Sequence, residues 1–108
     1  MKSPDRYEEL SAGISEFCTE RDWEKYHTPK NLSMALAVEA AELMEIFQWL
    51  TPEESDKANL SPARKERVKE EIADIFIYTI RMAQVLDIDL FETATEKLEK
   101  NAAKYPLR

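Results

Sequence analysis

The segment EAAELMEIFQW (residues 39–49) has the apolar rhythm of an amphipathic helix, broken by acid where the rhythm wants hydrocarbon. Glu39 and Glu42 are three residues apart and project from one side of a helix, with Ile46 and Trp49 continuing that side and Ala35 and Leu32 preceding it. EEIADIFIY repeats the anomaly: Glu71 and Asp74 are three apart, Tyr78 returns a turn later, and Ile72, Ile75 and Phe76 are expected to face the core around them. A core-facing carboxylate without a partner is costly and either protonates or pulls its helix outward. Glu39 and Asp74 lie mid-helix, where an N-terminal dipole does not compensate them. An acid pair alone is a weak signal in a chain with 22 acidic residues; its place in the apolar stripe, twice over, is what gives it weight.

If the two helices pack antiparallel, the four carboxylates converge, and converging carboxylates call for hard cations, Mg2+ or its substitute Mn2+. Mg2+ usually takes only one or two protein carboxylates and fills its remaining positions with water and phosphate oxygens, so four acids can hold more than one ion and leave room for a polyphosphate. A metal-bound water is a nucleophile near neutral pH. Phosphoryl or nucleotidyl hydrolysis is therefore the leading chemistry. A di-iron bundle needs Glu-x-x-His motifs on facing helices, whereas the one histidine, His27, falls in the YHTPK connection.

The elements that must position these acids are legible from their punctuation. The chain has 108 residues, one glycine and five prolines, too few turn residues for a sheet and enough chain for one domain spanning 1–108. Ser3 and Pro4 are expected to open a first helix through Tyr7, Leu10, Ile14, Phe17 and Arg21. Thr28 and Pro29 open a second, running to about Leu50, and Thr51 with Glu54 forms a capping box for a short turn or helix. Ser61 and Pro62 start a third, whose apolar members are Val68, Ile72, Ile75, Phe76, Met82 and Leu86. Asp89 with Glu92 opens a fourth, stopped by Pro106. The expected fold class is all-α, a four-helix bundle or something close to it.

A net charge of −7 disfavours a nucleic-acid polymer or an anionic membrane as partner. The lone Cys18 excludes an internal disulfide, and the opening MKSPDRYEEL shows no apolar signal core, so a cytoplasmic setting is expected.

Glu39-x-x-Glu42, then 28 intervening residues, then Glu71-x-x-Asp74 resembles the signature of MazG-like all-α nucleoside triphosphate pyrophosphohydrolases. RDWEKYHTPKNL, EAAELMEIFQW, EEIADIFIY and KLEKNAAKYP, in that order, look like the dCTP pyrophosphatase branch over about residues 14–106. The resemblance implies Mg2+-dependent cleavage of a deoxynucleoside triphosphate between its α and β phosphates, by a homodimer or homotetramer whose bundles are completed between chains. It implies that Glu39, Glu42, Glu71 and Asp74 ligate metal; a proton acceptor must be a carboxylate not saturated by metal, for which Glu39 or Glu42 is expected. It assigns Trp23, His27, Trp49 and Tyr78 to the base and sugar pocket, Lys30 and Asn31 to substrate binding, and Lys97, Asn101, Lys104 and Tyr105 to the phosphate side. Ile14 stands where some relatives carry a polar aromatic residue, and Lys30 where close relatives carry Arg.

The residues themselves bear on these roles unevenly. Trp49 lies roughly 15 Å along the second helix from Glu39, a span a bound nucleotide would cover. Lys97, Asn101 and Lys104 share one face of the last helix, where positive charge would offset the acidic chain or pair with Glu96 or Glu99. Two rivals remain at this level: a same-fold pyrophosphatase for dUTP, dATP or a modified base, and a non-enzymatic helical adaptor whose acids face a cationic partner.

Overall fold

A computed structural model describes residues 5–107. Its helices are α1 (Arg6–Glu20), α2 (Pro29–Phe47), α3 (Pro62–Leu86) and α4 (Leu90–Lys104), with a short 3-10 turn at Glu24–Tyr26. No strand occurs among the described residues, as the scarcity of glycine foreshadowed.

Each helix begins where a short polar side chain can take an otherwise unpaired backbone N–H. Thr28 Oγ1 accepts from the Asn31 amide at 3.2 Å, Ser61 Oγ from Arg64 at 3.2 Å and Asp89 Oδ1 from Glu92 at 3.1 Å. Pro29 and Pro62 fill first-turn positions where a missing N–H costs nothing. For α1 the described cap is Asp5, whose Oδ1 accepts from the Tyr7 amide at 2.8 Å; Ser3 and Pro4 lie outside the described residues. Thr51 and Glu54 make the reciprocal capping box, at 2.9 and 3.2 Å, around a series of turns rather than a helix.

Helices α2 and α3 pack along each other, α1 leans on α3, and α4 has little contact with the rest. Leu32 and Ile46 are buried on α2, Ile80 and Ala83 on α3. Ile14, Cys18 and Ile80 form the α1–α3 core, with Tyr7 and Leu90 against it. The start of α4 is held there by Phe91, whose ring meets Tyr7 edge-on at 4.7 Å. The radius of gyration is 17.1 Å, against about 13 Å for a close-packed chain of this length. The chain is correspondingly open: Ile72 and Phe76, expected in the core, are about half exposed, and Met34, Val38, Met44 and Leu98 are exposed as well. These side chains obey helical periodicity, but the surface they would pack on is not supplied by the described residues.

Candidate functional site

Antiparallel packing of α2 on α3 brings Glu39, Glu42 and Glu71 together, with one carboxylate oxygen from each lying within 4.8 Å of the others. Glu39 Oε2 and Glu71 Oε2 are buried and have no hydrogen-bond partner among the described residues. Two orphaned oxygens in a three-acid cluster leave a deficit that a divalent cation fits: hard, anionic donors closing on one point, with no basic side chain among the described residues paired to them. Asp74 lies outside this cluster. Its side chain is one methylene shorter than glutamate's, and it lines the neighbouring cleft instead.

Crowding shows in the protonation of Glu39, whose carboxyl is pushed up to about 7. The main cause is the Glu71 carboxyl set against it, followed by desolvation and by the charges of Glu42 and Asp74. The Tyr78 phenol is also raised, first by burial and then by Glu39 and Asp74, so it remains a donor.

Beside the acids a cleft of about 410 Å3 opens between α1, the Trp23–His27 connection and α3. Asp74 and Tyr78 line it, as do Ile14, Phe17, Trp23, His27 and Arg81, so the cleft and the acid cluster adjoin. Trp23 reaches it through the way α1 ends. Asp22 takes a left-handed conformation (φ 55°), its amide bonds the Thr19 carbonyl at 3.1 Å, and the Trp23 amide bonds the Cys18 carbonyl at 3.0 Å. This pair of bonds folds the chain back and sets the residue after the turn against the helix's last apolar side chains. The Trp23 ring accordingly meets Phe17 edge-on at 5.5 Å.

His27 follows, its ring centroid 6.3 Å from that of Trp23. Its Nδ1 accepts from Arg81 Nε at 2.9 Å, and its pKa is lowered by burial and, second, by the Arg81 charge. Asn31 closes the connection from below, donating from Nδ2 to the Tyr26 carbonyl at 3.0 Å.

Within one chain, then, Trp23, His27 and Tyr78 share a cleft with Asp74. Trp49 does not join them: α2 ends at Phe47, so the helical projection used to place Trp49 stops short, and its side chain is 87 % exposed. Lys30 is exposed at the start of α2. Lys97 and Lys104 are exposed and Asn101 half-buried on α4, with Tyr105 exposed just beyond it; apart from Leu90 at its start, α4 has little contact with the acid-bearing helices. Among the described residues the lysines pair with neither Glu96 nor Glu99; Lys104 Nζ sits 5.3 Å from the Tyr105 ring instead. Sequence reasoning missed Arg81. Its signal was available, since Asp74, Tyr78 and Arg81 stand at i, i+4 and i+7 and so share a helix face.

Helices that bring acids from two neighbours to one point, beside an aromatic-lined cleft, define an all-α carboxylate-site protein. A model of the MazG-like family matches residues 34–108, and the chain belongs to that family. Among curated proteins it is 40 % identical over 93 residues to dCTP pyrophosphatase 1 of Bos taurus, and 39 % identical over 92 residues to that of Homo sapiens. Those alignments cover 86 % and 85 % of this chain but 55 % and 54 % of the relatives, so the chain spans about half their length. Among solved structures, a pyrophosphatase from Archaeoglobus fulgidus is 42 % identical with a TM-score of 0.89, covering 99 % of this chain and 98 % of its own.

Proposed function

We propose that the protein hydrolyses deoxynucleoside triphosphates, dCTP or a modified dCTP foremost, to the monophosphate and pyrophosphate, removing unwanted nucleotides from the pool. The observation that carries this reading is the three-carboxylate cluster with two orphaned oxygens, opening beside an aromatic cleft. The names of the relatives and of the Archaeoglobus structure support the same activity.

Glu39, Glu42 and Glu71 would hold Mg2+, or Mn2+ in its place, with Asp74 joining from the cleft side. When bound, the ion supplies positive charge against the triphosphate and acidifies a water. The chain's own residues do the rest. Trp23 and His27 wall the base, and Tyr78, kept protonated, donates to the sugar or phosphate between base and acids. Glu39 or Glu42 takes the proton of the attacking water. The packed α2–α3 pair would position the triphosphate against the acids, where a fixed geometry contributes most.

Trp49 and the α4 residues Lys97, Asn101, Lys104 and Tyr105 enter this scheme from another copy of the chain. The exposed apolar residues of α2, α3 and α4 and the open shape favour a homodimer or homotetramer in which such sites are completed. No described helix is long and apolar enough to cross a membrane, and the free Cys18 suits a reducing, cytoplasmic setting.

A panel of deoxynucleoside triphosphates incubated with Mg2+ tests the reading. The expected result is equal release of monophosphate and pyrophosphate, fastest with a cytosine base. Orthophosphate as the product, or no product from any triphosphate, would overturn it.

A further inference from the structure

One arginine organises the polar side of the cleft. Arg81 is only 8 % exposed, yet no ion pair among the described residues includes it. Its guanidinium is spent on neutral acceptors: Nε donates to His27 Nδ1 and Nη1 to Gln84 Oε1, each at 2.9 Å. Gln84 is fixed in turn by donating from Nε2 to the Ser11 carbonyl and hydroxyl, both at 2.7 Å. The chain of bonds crosses from the connection through α3 to α1, linking residues 54 and 73 apart in sequence.

A guanidinium has donors and no acceptor. Its contact with His27 therefore requires a bare Nδ1, and a neutral imidazole with a bare Nδ1 carries its single proton on Nε2. Burial and the neighbouring positive charge both oppose a second proton on the ring. The other titratable or charged groups facing the cleft are Cys18 from α1 and Asp74 and Tyr78 from α3.

We propose that Arg81 is a positioning residue that locks His27 as its Nε2–H tautomer, so that the cleft offers the nucleotide base a hydrogen-bond donor and favours bases presenting an acceptor edge. The proposal rests on the reading of this cleft as the base site. A cytosine-type ring, with O2 and N3 as adjacent acceptors, meets that donor at either atom, whereas uracil and thymine offer a competing N3–H.

Because the chain has a single histidine, long-range 15N–1H correlation spectra of the wild-type protein read the tautomer without overlap. The expected spectrum has a protonated Nε2 and a bare Nδ1; a protonated Nδ1, or averaging between the two forms, overturns the proposal. The kinetic arm compares Arg81→Met and Arg81→Lys with wild type under Mg2+. Arg81→Met should raise KM for dCTP about tenfold, the scale of one lost hydrogen bond, with kcat nearly unchanged. The advantage of dCTP over dUTP should shrink, and kcat/KM should acquire a step near the ordinary histidine value of 6.5. Arg81→Lys, which restores a donor, should recover part of the loss. An unaltered KM, base preference and pH profile in a folded Arg81→Met protein overturns the proposal. If Arg81→Met does not fold, the wild-type spectrum decides. Absence of pyrophosphate release by the wild type would remove the enzymatic reading instead, leaving the tautomer to be judged by the spectrum alone.

Discussion

Glu39 of α2 and Glu71 of α3 meet carboxyl to carboxyl, and each keeps a buried Oε2 that no hydrogen bond among the described residues reaches. Crowding by neighbouring carboxyls opposes ionisation of Glu39. The sign of the effect on stability follows. Glu39 is raised from 4.5 to about 7, so its contribution to stability is complete below about pH 4.5 and is lost as pH rises through about 7. The melting temperature of the metal-free protein should therefore fall between pH 5 and pH 8. The stabilisation given by Mg2+ should grow over the same interval, because the ion needs the carboxylates deprotonated. Glu39→Gln should flatten the pH dependence and abolish the Mg2+ shift; thermal melts in buffers of matched ionic strength measure both.

Trp23 owes its place to a left-handed Asp22 and an edge contact with Phe17. Replacing it by Ala should leave the helices intact, as circular dichroism would show. The KM for the triphosphate should rise about 10–100-fold, the worth of stacking a base on an aromatic ring. A KM within twofold of wild type would place the base elsewhere.

Phe76 and Ile72 lie on the acid-bearing helix with about half their surface exposed. Covering them with a second copy should give a solution mass that is a multiple of 12.6 kDa. Phe76→Glu should shift the protein towards monomer and lower its melting temperature. Sedimentation equilibrium provides the mass, and a wild type that sediments as a monomer contradicts the shared-site arrangement.

Gly13 sits inside α1 on the cleft wall, and a Cβ built there meets nothing within 4 Å. Gly13→Ala should raise unfolding free energy by about 0.5–1 kcal/mol by removing the entropy a helical glycine loses. Denaturant titration reads the change directly.

What could be read from the sequence was what is local. Thr28, Ser61 and Asp89 begin their helices because a cap needs only the next few residues, and Thr51 and Glu54 find each other for the same reason. The acids at i, i+3 were legible because spacing fixes the face they share, and a second acidic helix of opposite run could be paired with the first. Trp49 was misplaced within the chain because the end of α2 at Phe47 carries no glycine or proline to mark it. Ile72 and Phe76 read as core because periodicity reports that a face is apolar, not which molecule covers it. Arg81 was overlooked because an arginine among apolar neighbours reads as a side chain snorkelling to solvent; its partner His27 lies 54 residues away.

The central claim is that Glu39, Glu42 and Glu71 are one divalent-cation site serving a triphosphate. Mn2+ titrations followed by electron paramagnetic resonance, with and without a non-hydrolysable dCTP analogue, test it most directly. The wild type should bind Mn2+, more tightly with the analogue present, and Glu71→Gln should lose that binding while keeping its helical circular dichroism. Equal Mn2+ binding by wild type and Glu71→Gln, indifferent to the analogue, would contradict it.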